Sequence, residues 1–184
     1  MATPIFYKGC VSIKILALDQ ATVNSAFSVW VDSKLITYGK VTADKTIKDY
    51  RRSLQMVDLV MEIVHKYKPD IIILEDAFSS GNNKTFGMLS CLRGMSMERF
   101  KDEGYQFDIV APVTWKSFAK IKGKRPEQKR QSIALAEKIF KLDLPIVNNK
   151  KDDDIADSIN IGCYAVNKHE GINYYKKIKE NNYD

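Results

Sequence analysis

Residues 11–19 read VSIKILALD and residues 71–75 read IIILE: two apolar runs, each stopping on an acid. Both are short and rich in β-branched residues, which predicts strands rather than helices. The second run has no polar residue before Glu75, as expected for a central strand covered on both faces. Strands that end on acids matter because ligands of open α/β sheets gather at the carboxyl ends of the strands.

Working outward from the first run, residues 26–31 (AFSVWV) and 35–41 (LITYGKV) flank turn-forming residues at 32–34, which predicts a three-strand antiparallel meander. From Thr46 the period changes. Ile47, Tyr50, Leu54, Val57, Met61 and Val64 recur at three and four residues, predicting an amphipathic crossover helix that closes before Pro69. After the polar stretch SSGNNK, residues 84–103 place Phe86, Leu89, Leu92 or Arg93, Ser96 and Phe100 along one helical face. A short strand at 107–111 follows, then Pro112, with Thr114 expected to cap a brief helix. Helices are expected at about 126–141 and 152–167, and the polar residues from Lys168 are expected to fray. Three strands, helix, strand, helix, strand and further helices predict an α/β fold with a mixed five-stranded sheet flanked by helices. One domain is expected across residues 1–184, with its core at about 11–167.

The charge is uneven. Lys and Arg number 29 against 23 Asp and Glu, for a net charge of +6. Between 116 and 130 stand seven basic residues (Lys116, Lys120, Lys122, Lys124, Arg125, Lys129 and Arg130) and one acid, Glu127, so the remainder of the chain is neutral. Such a local excess is expected of a surface that contacts phosphates.

Cys10, Cys91 and Cys163 are far apart and form no CxxC pair, which argues against a disulfide framework or a thiolate zinc site and predicts buried, reduced thiols. With only His65 and His169, most His-based zinc sites are excluded, so any metal must be held by carboxylates, which favours Mg²⁺ or Mn²⁺. No run approaches the roughly 20 apolar residues of a membrane helix, and the first ten residues lack the layout of a signal peptide. A soluble, cytoplasmic protein with no membrane partner is expected. Abundant Lys and Asn point to an AT-rich genome such as a phage's, which would place it in the bacterial host cytoplasm.

Four acids stand out by position: Asp19 and Glu75 at strand ends, and Asp154 and Asp157 at the start of the last helix, with Asp153 as rival to Asp154. Residues 154 and 157 share a helical face, with Cβ atoms roughly 5–6 Å apart. Singly, each acid has an ordinary explanation as a turn cap, a strand end at solvent, or a helix start favoured by the macrodipole. Together, four carboxylates in one pocket would raise each other's pKa unless cations neutralised them. A pair of divalent cations about 3.5–4 Å apart is the economical solution, and it is the arrangement that hydrolyses phosphodiesters.

LEDAF (74–78), LRG (92–94), APVTWK (111–116) and DDIADS (153–158) resemble the RuvC family of Holliday junction resolvases, including its phage and poxvirus relatives, over about residues 11–166. The resemblance implies a ribonuclease H-like fold, a homodimer, and Mg²⁺- or Mn²⁺-dependent nicking of two opposing strands of a four-way DNA junction. It implies that Asp19, Glu75, Asp154 and Asp157 bind the metals, with Asp19 bridging them. Lys116 and Lys129 fall where the family carries basic residues near the scissile phosphate, and the 116–130 segment would grip the DNA backbone. Phe78 matches an aromatic that stacks on an unpaired base, and Gly87, Ser90, Gly94 and Ser96 lie on the helix that contributes to the family's dimer interface. Trp115 is expected to anchor its own helix. One departure is plain: bacterial members have a G-x-D-P-G turn around the first acid, whereas this chain reads ALDQAT at 17–22. Docking to a branch-migration motor is not implied. The alternatives are a ribonuclease H-like nuclease acting on RNA or hybrids, and a non-cleaving junction-binding dimer. A sugar-kinase-type ATP site is disfavoured, because the chain has no glycine-rich phosphate loop.

Overall fold

The computed structural model describes residues 12–77, 82–147 and 149–176. Strands β1 (Lys14–Asp19), β2 (Asn24–Val31) and β3 (Lys34–Thr42) form an antiparallel meander. Helix α1 (Asp49–Tyr67) crosses over to β4 (Ile71–Glu75), and α2 (Asn83–Asp102) to β5 (Gln106–Val110). The sheet order is β3-β2-β1-β4-β5, with β4 parallel to both β1 and β5. Then come α3 (Pro112–Phe118), α4 (Arg125–Phe140), a two-residue hairpin β6 (Ile146–Val147) and β7 (Lys150–Lys151), and α5 (Asp153–Glu170).

Strand β1 is apolar at successive positions because both faces of the sheet are covered. Ile15 and Ala17 join a cluster with Trp30, Ile73 and residues of α4 and α5, while Leu16 and Leu18 join one with Phe27, Val29 and residues of α1 and α2. The period of two then decides where the acids point. Asp19 has the parity of Ile15 and Ala17, and Glu75 that of Ile73, so both acids face the layer that holds α5. β1 and β4 are in register through Leu18–Leu74, which brings Asp19 and Glu75 side by side one step further on.

Several expectations are corrected. The buried stripe of α1 is Ser53, Met56, Val57, Val60, Met61 and Val64. Tyr50 and Leu54, expected on that stripe, are exposed, because they stand in the first two turns of α1 at the border of its buried face, which begins at Ser53. Helix α3 starts with Pro112 at its first position and Ala111 before it, so Thr114 lies inside the helix instead of capping it. On α2, Leu92, Ser96 and Phe100 are buried, whereas Phe86 is exposed. Cys163 is buried but Cys91 only partly, and Cys10 lies outside the described residues. The core also extends past 167: Tyr175 is buried, and Tyr174 stacks against Trp30 and Phe140. Aromatic area, not the polar average of the segment, decides that docking.

Helix α5 lies close against β2. The Trp30 indole N–H donates to Ser28 Oγ, which donates to the Ser158 carbonyl. Gly162 makes this approach possible, since a Cβ there would sit 2.0 Å from Trp30 Nε1. Gly162→Ala is therefore expected to lower stability by about 1–3 kcal/mol, as overpacking of a filled core does. Denaturant unfolding checks this, and an unchanged midpoint would show that α5 can retreat freely.

Candidate active site

Asp19, Glu75 and Asp157 come from β1, β4 and α5 and meet at the carboxyl edge of the two central parallel strands. Burial is the largest influence on each of the three and raises its pKa. Asp19 is pushed well above the ordinary carboxylate range, first by burial and then by repulsion from Glu75, Asp157 and Asp154. Asp157 is pushed up to about 7 by burial and by the charges of Glu75 and Asp153, with a hydrogen bond from Ser132 Oγ opposing the rise. Burial also raises Glu75, against the Trp115 indole N–H (2.7 Å), the charge of Lys116 and a hydrogen bond shared with Asp19. Lys116 on α3 opposes the rise at all three acids and so faces the cluster; its ammonium lies 5.1 Å from the Trp115 ring centre.

The three remaining acids at the start of α5, Asp152, Asp153 and Asp154, have lysine partners. Lys40 Nζ lies 2.8 Å from Asp152 and 2.5 Å from Asp154, and Lys129 on α4 pairs with Asp153. Asp154 therefore reaches the cluster only as a repelling charge on Asp19, and Asp153 as one on Asp157. The expectation of four converging carboxylates is thus met by three, with Asp154 drawn off by Lys40. Among the described residues, no three acidic, His or Cys side chains are drawn up as a ready-made metal site.

Strand register explains Lys40, which the sequence reading missed. Asp19 pairs with Ala26 and Ala26 with Lys40, so one cross-strand row carries both the first acid and the lysine toward α5. Alternation along β3 was the available signal. Ser132 was also missed; with Lys129 it forms the site-facing side of α4, three residues apart. Trp115 anchors α3, as expected, and in addition its buried ring carries the N–H that Glu75 accepts.

The loops that carry the acids are braced by α2. The turn after Asp19, without glycine or proline, is closed by Ser25 Oγ, which accepts from Ala21 N (3.0 Å) and donates to Ala21 O (2.9 Å). Gln20 Nε2 donates to Ser96 Oγ at 2.9 Å, and Asp76, next to Glu75, pairs with Arg93. Ser96 is consequently buried within the chain and cannot serve a dimer interface, whereas Gly87 and Gly94 are exposed on α2 and Ser90 is half-buried.

Lys120, Lys122, Lys124, Arg125 and Arg130 are all exposed. Their loop is shaped by Gln131, whose side chain bonds both the N–H and the carbonyl of Lys122, and by Gly123, whose positive φ favours glycine. Phe78 lies outside the described residues.

Residues 12–167 match the family described as Lactococcus phage M3 protein. The chain is similar to the crossover junction endodeoxyribonuclease RuvC of Caldanaerobacter subterraneus, 23% identical over 169 residues that cover 88% of this chain and 99% of the relative. It also resembles the Thermus thermophilus RuvC in complex with a Holliday junction substrate, with a TM-score of 0.63 at 12% identity over 85% of this chain and 96% of that one. The fowlpox virus resolvase in complex with Holliday junction DNA superposes with a TM-score of 0.54 at 20% identity, over 85% of this chain and 98% of that one. These likenesses identify the fold as the ribonuclease H-like fold of the junction resolvases. The chain belongs to the family described as Lactococcus phage M3 protein, built on the fold of RuvC and the poxvirus resolvase.

Proposed function

We propose that this protein is a metal-dependent, structure-selective endonuclease that resolves four-way and related branched DNA by paired phosphodiester hydrolysis. The observation that carries the reading is the group of three carboxylates, Asp19, Glu75 and Asp157, held in repulsive proximity by three separate elements of a resolvase fold. Length-wide similarity to crossover junction endodeoxyribonucleases supports DNA junctions over RNA as substrate.

The donor set fits hard divalent cations: all the donors are carboxylate oxygens, buried and mutually repelling, a combination that positive charge stabilises. Asp19, Glu75 and Asp157, joined by Asp154 once it leaves Lys40, would hold two Mg²⁺ or Mn²⁺ ions. When bound, such ions supply Lewis-acid stabilisation of the phosphoryl oxygens and a water nucleophile at neutral pH. The chain's own groups do the rest. Asp19, which repels both Glu75 and Asp157, would hold the cations jointly with them. Trp115 fixes the Glu75 carboxylate through its indole N–H. Lys116, facing the acids, steadies the charge that develops on the phosphate, and Lys129 is placed to do so from α4 once freed from Asp153. Lys120, Lys122, Lys124, Arg125 and Arg130 form an exposed basic surface for the DNA backbone, and Phe78 follows the Glu75 loop as a stacking group for an unpaired base. A homodimer would present two such sites to opposing strands. No helix among the described residues is long and apolar enough to cross a membrane, in keeping with action in the cytoplasm.

Labelled four-way junction, flap, linear duplex and RNA duplex, each incubated with and without Mg²⁺, test this. Paired symmetric nicks in the junction, dependent on Mg²⁺ and leaving 5′-phosphate ends, are expected; equal cutting of linear duplex or of RNA would sink the junction assignment. Asp157→Asn and Asp19→Asn are expected to bind the junction normally and to cut it slower by on the order of 10³-fold or more. Retained cutting by both variants would remove the acids from the chemistry.

The raised pKa values add a thermodynamic test. Folded Asp19 and Asp157 hold protons that the unfolded chain releases near pH 4, so metal-free stability falls as pH rises from about 4 through about 7. In EDTA, Tm is expected to be lower at pH 8 than at pH 5.5. Mg²⁺ or Mn²⁺ should raise it strongly at pH 8 and little at pH 5.5, where protons occupy the carboxylates. A cation effect equal at both pH values would contradict binding at this cluster.

A further inference from the structure

Asp157 is held by more than its place on α5. Ser132 Oγ on α4 donates to Asp157 Oδ1. Asn160, one turn further along α5, shares its two Nδ2 hydrogens among Ser132 Oγ (2.9 Å), the Ser132 carbonyl (3.1 Å) and the Ala156 carbonyl (2.9 Å), so that one donation is bifurcated. Its Oδ1 accepts from the Tyr175 hydroxyl at 2.7 Å. The two backbone carbonyls can only accept, so they fix which end of the Asn160 amide carries the nitrogen. A single direction of donation results: Tyr175 to Asn160, Asn160 to Ser132, Ser132 to the Asp157 carboxylate.

These three groups are buried, Asn160 completely, Ser132 to 1% exposure and Tyr175 to 8%. A buried amide and hydroxyl are costly unless fully partnered, and an apolar residue at position 160 would avoid the cost altogether. Local satisfaction was also available. Ser158 and Ser96 turn their hydroxyls back onto carbonyls of their own helices, at Ile155 and Leu92. Ser132 instead sends its proton across to another helix and to the acid. Tyr175 keeps its own proton because burial, together with the neighbouring Cys163, raises it well above the usual phenol range. It also lies beyond residues 12–167, the part shared with the family.

We propose that Tyr175, Asn160 and Ser132 form a positioning relay that sets the orientation of the Asp157 carboxylate and thereby the affinity of the acid cluster for a divalent cation. The inference rests on the metal-dependent reading above. It gives the segment after α5 a function: its docked tyrosine is the far end of a line that terminates at the active site. Groups that orient metal ligands in this way are worth about 10–100-fold in metal affinity.

The test is Mn²⁺ binding by calorimetry at pH 8, without DNA, on full-length wild type, Ser132→Ala, Tyr175→Phe, the double variant, Ser132→Thr and Asp157→Asn, with melting in EDTA measured alongside. Ser132→Ala is expected to weaken Mn²⁺ binding about tenfold or more, and Tyr175→Phe to weaken it by less. The double variant should bind no worse than Ser132→Ala alone, because the outer link acts only through the inner one. Ser132→Thr, which keeps the hydroxyl, should restore affinity. If Ser132→Ala and Tyr175→Phe bind Mn²⁺ as wild type does, even with lowered Tm, the groups are structural and the relay is overturned. If wild type binds Mn²⁺ no better than Asp157→Asn, the metal reading fails first and takes the relay with it.

Discussion

Burial raises the pKa values of Asp19, Glu75 and Asp157 together, mutual repulsion adds to the rise at Asp19 and Asp157, and much of the surrounding structure answers that conflict. Protons answer part of it, as the raised pKa values of Asp19 and Asp157 express. Lysines answer another part: Lys116 faces the cluster, while Lys40 and Lys129 draw Asp154 and Asp153 to its margin. Burying like charges costs more than any one of these contacts returns, so the fold as a whole holds them together.

Holding repelling groups together requires a rigid frame. The frame here is the pair of parallel strands β1 and β4, apolar on both faces and locked between two helical layers. Helix α2 ties down the loop after each strand, through Gln20–Ser96 and Asp76–Arg93. On the other face α5 presses against β2 at Gly162, and α4 joins it through Asn160 and Ser132. Each acid is thereby fixed by a strand or helix and by at least one neighbour that hydrogen-bonds or charge-pairs with it. The turn after Asp19, without glycine or proline, fits this picture, since Ser25 closes it by side-chain hydrogen bonds.

The acids at the start of α5 are paired with lysines, not arginines. A lysine on a flexible stem can neutralise a carboxylate and then withdraw from it, which a buried arginine fork does less readily. Lys40 sits on β3 in the same row as Asp19, close enough to hold Asp154 yet part-exposed. The charge of the α5 start is thus shared between its acids and the two lysines Lys40 and Lys129.

Local order along the chain determined the strand-and-helix sequence, the two strands ending on Asp19 and Glu75, and the i, i+3 acids of α5, because period-two and period-3.6 patterns are properties of neighbouring residues. Parity alone could have placed both strand acids on the same face. What only the tertiary structure decided were relations between residues far apart: Lys40 against Asp154, Trp115 against Glu75, Ser132 against Asp157, and Tyr175 behind Asn160. Such pairings depend on strand register and helix packing, which no local pattern encodes. The same reason explains the misplaced ends: Tyr50 and Leu54 looked like core and are exposed, whereas Tyr174 and Tyr175 stood in a polar tail and are packed. Burial is settled by which surfaces meet, and that is a property of the folded chain.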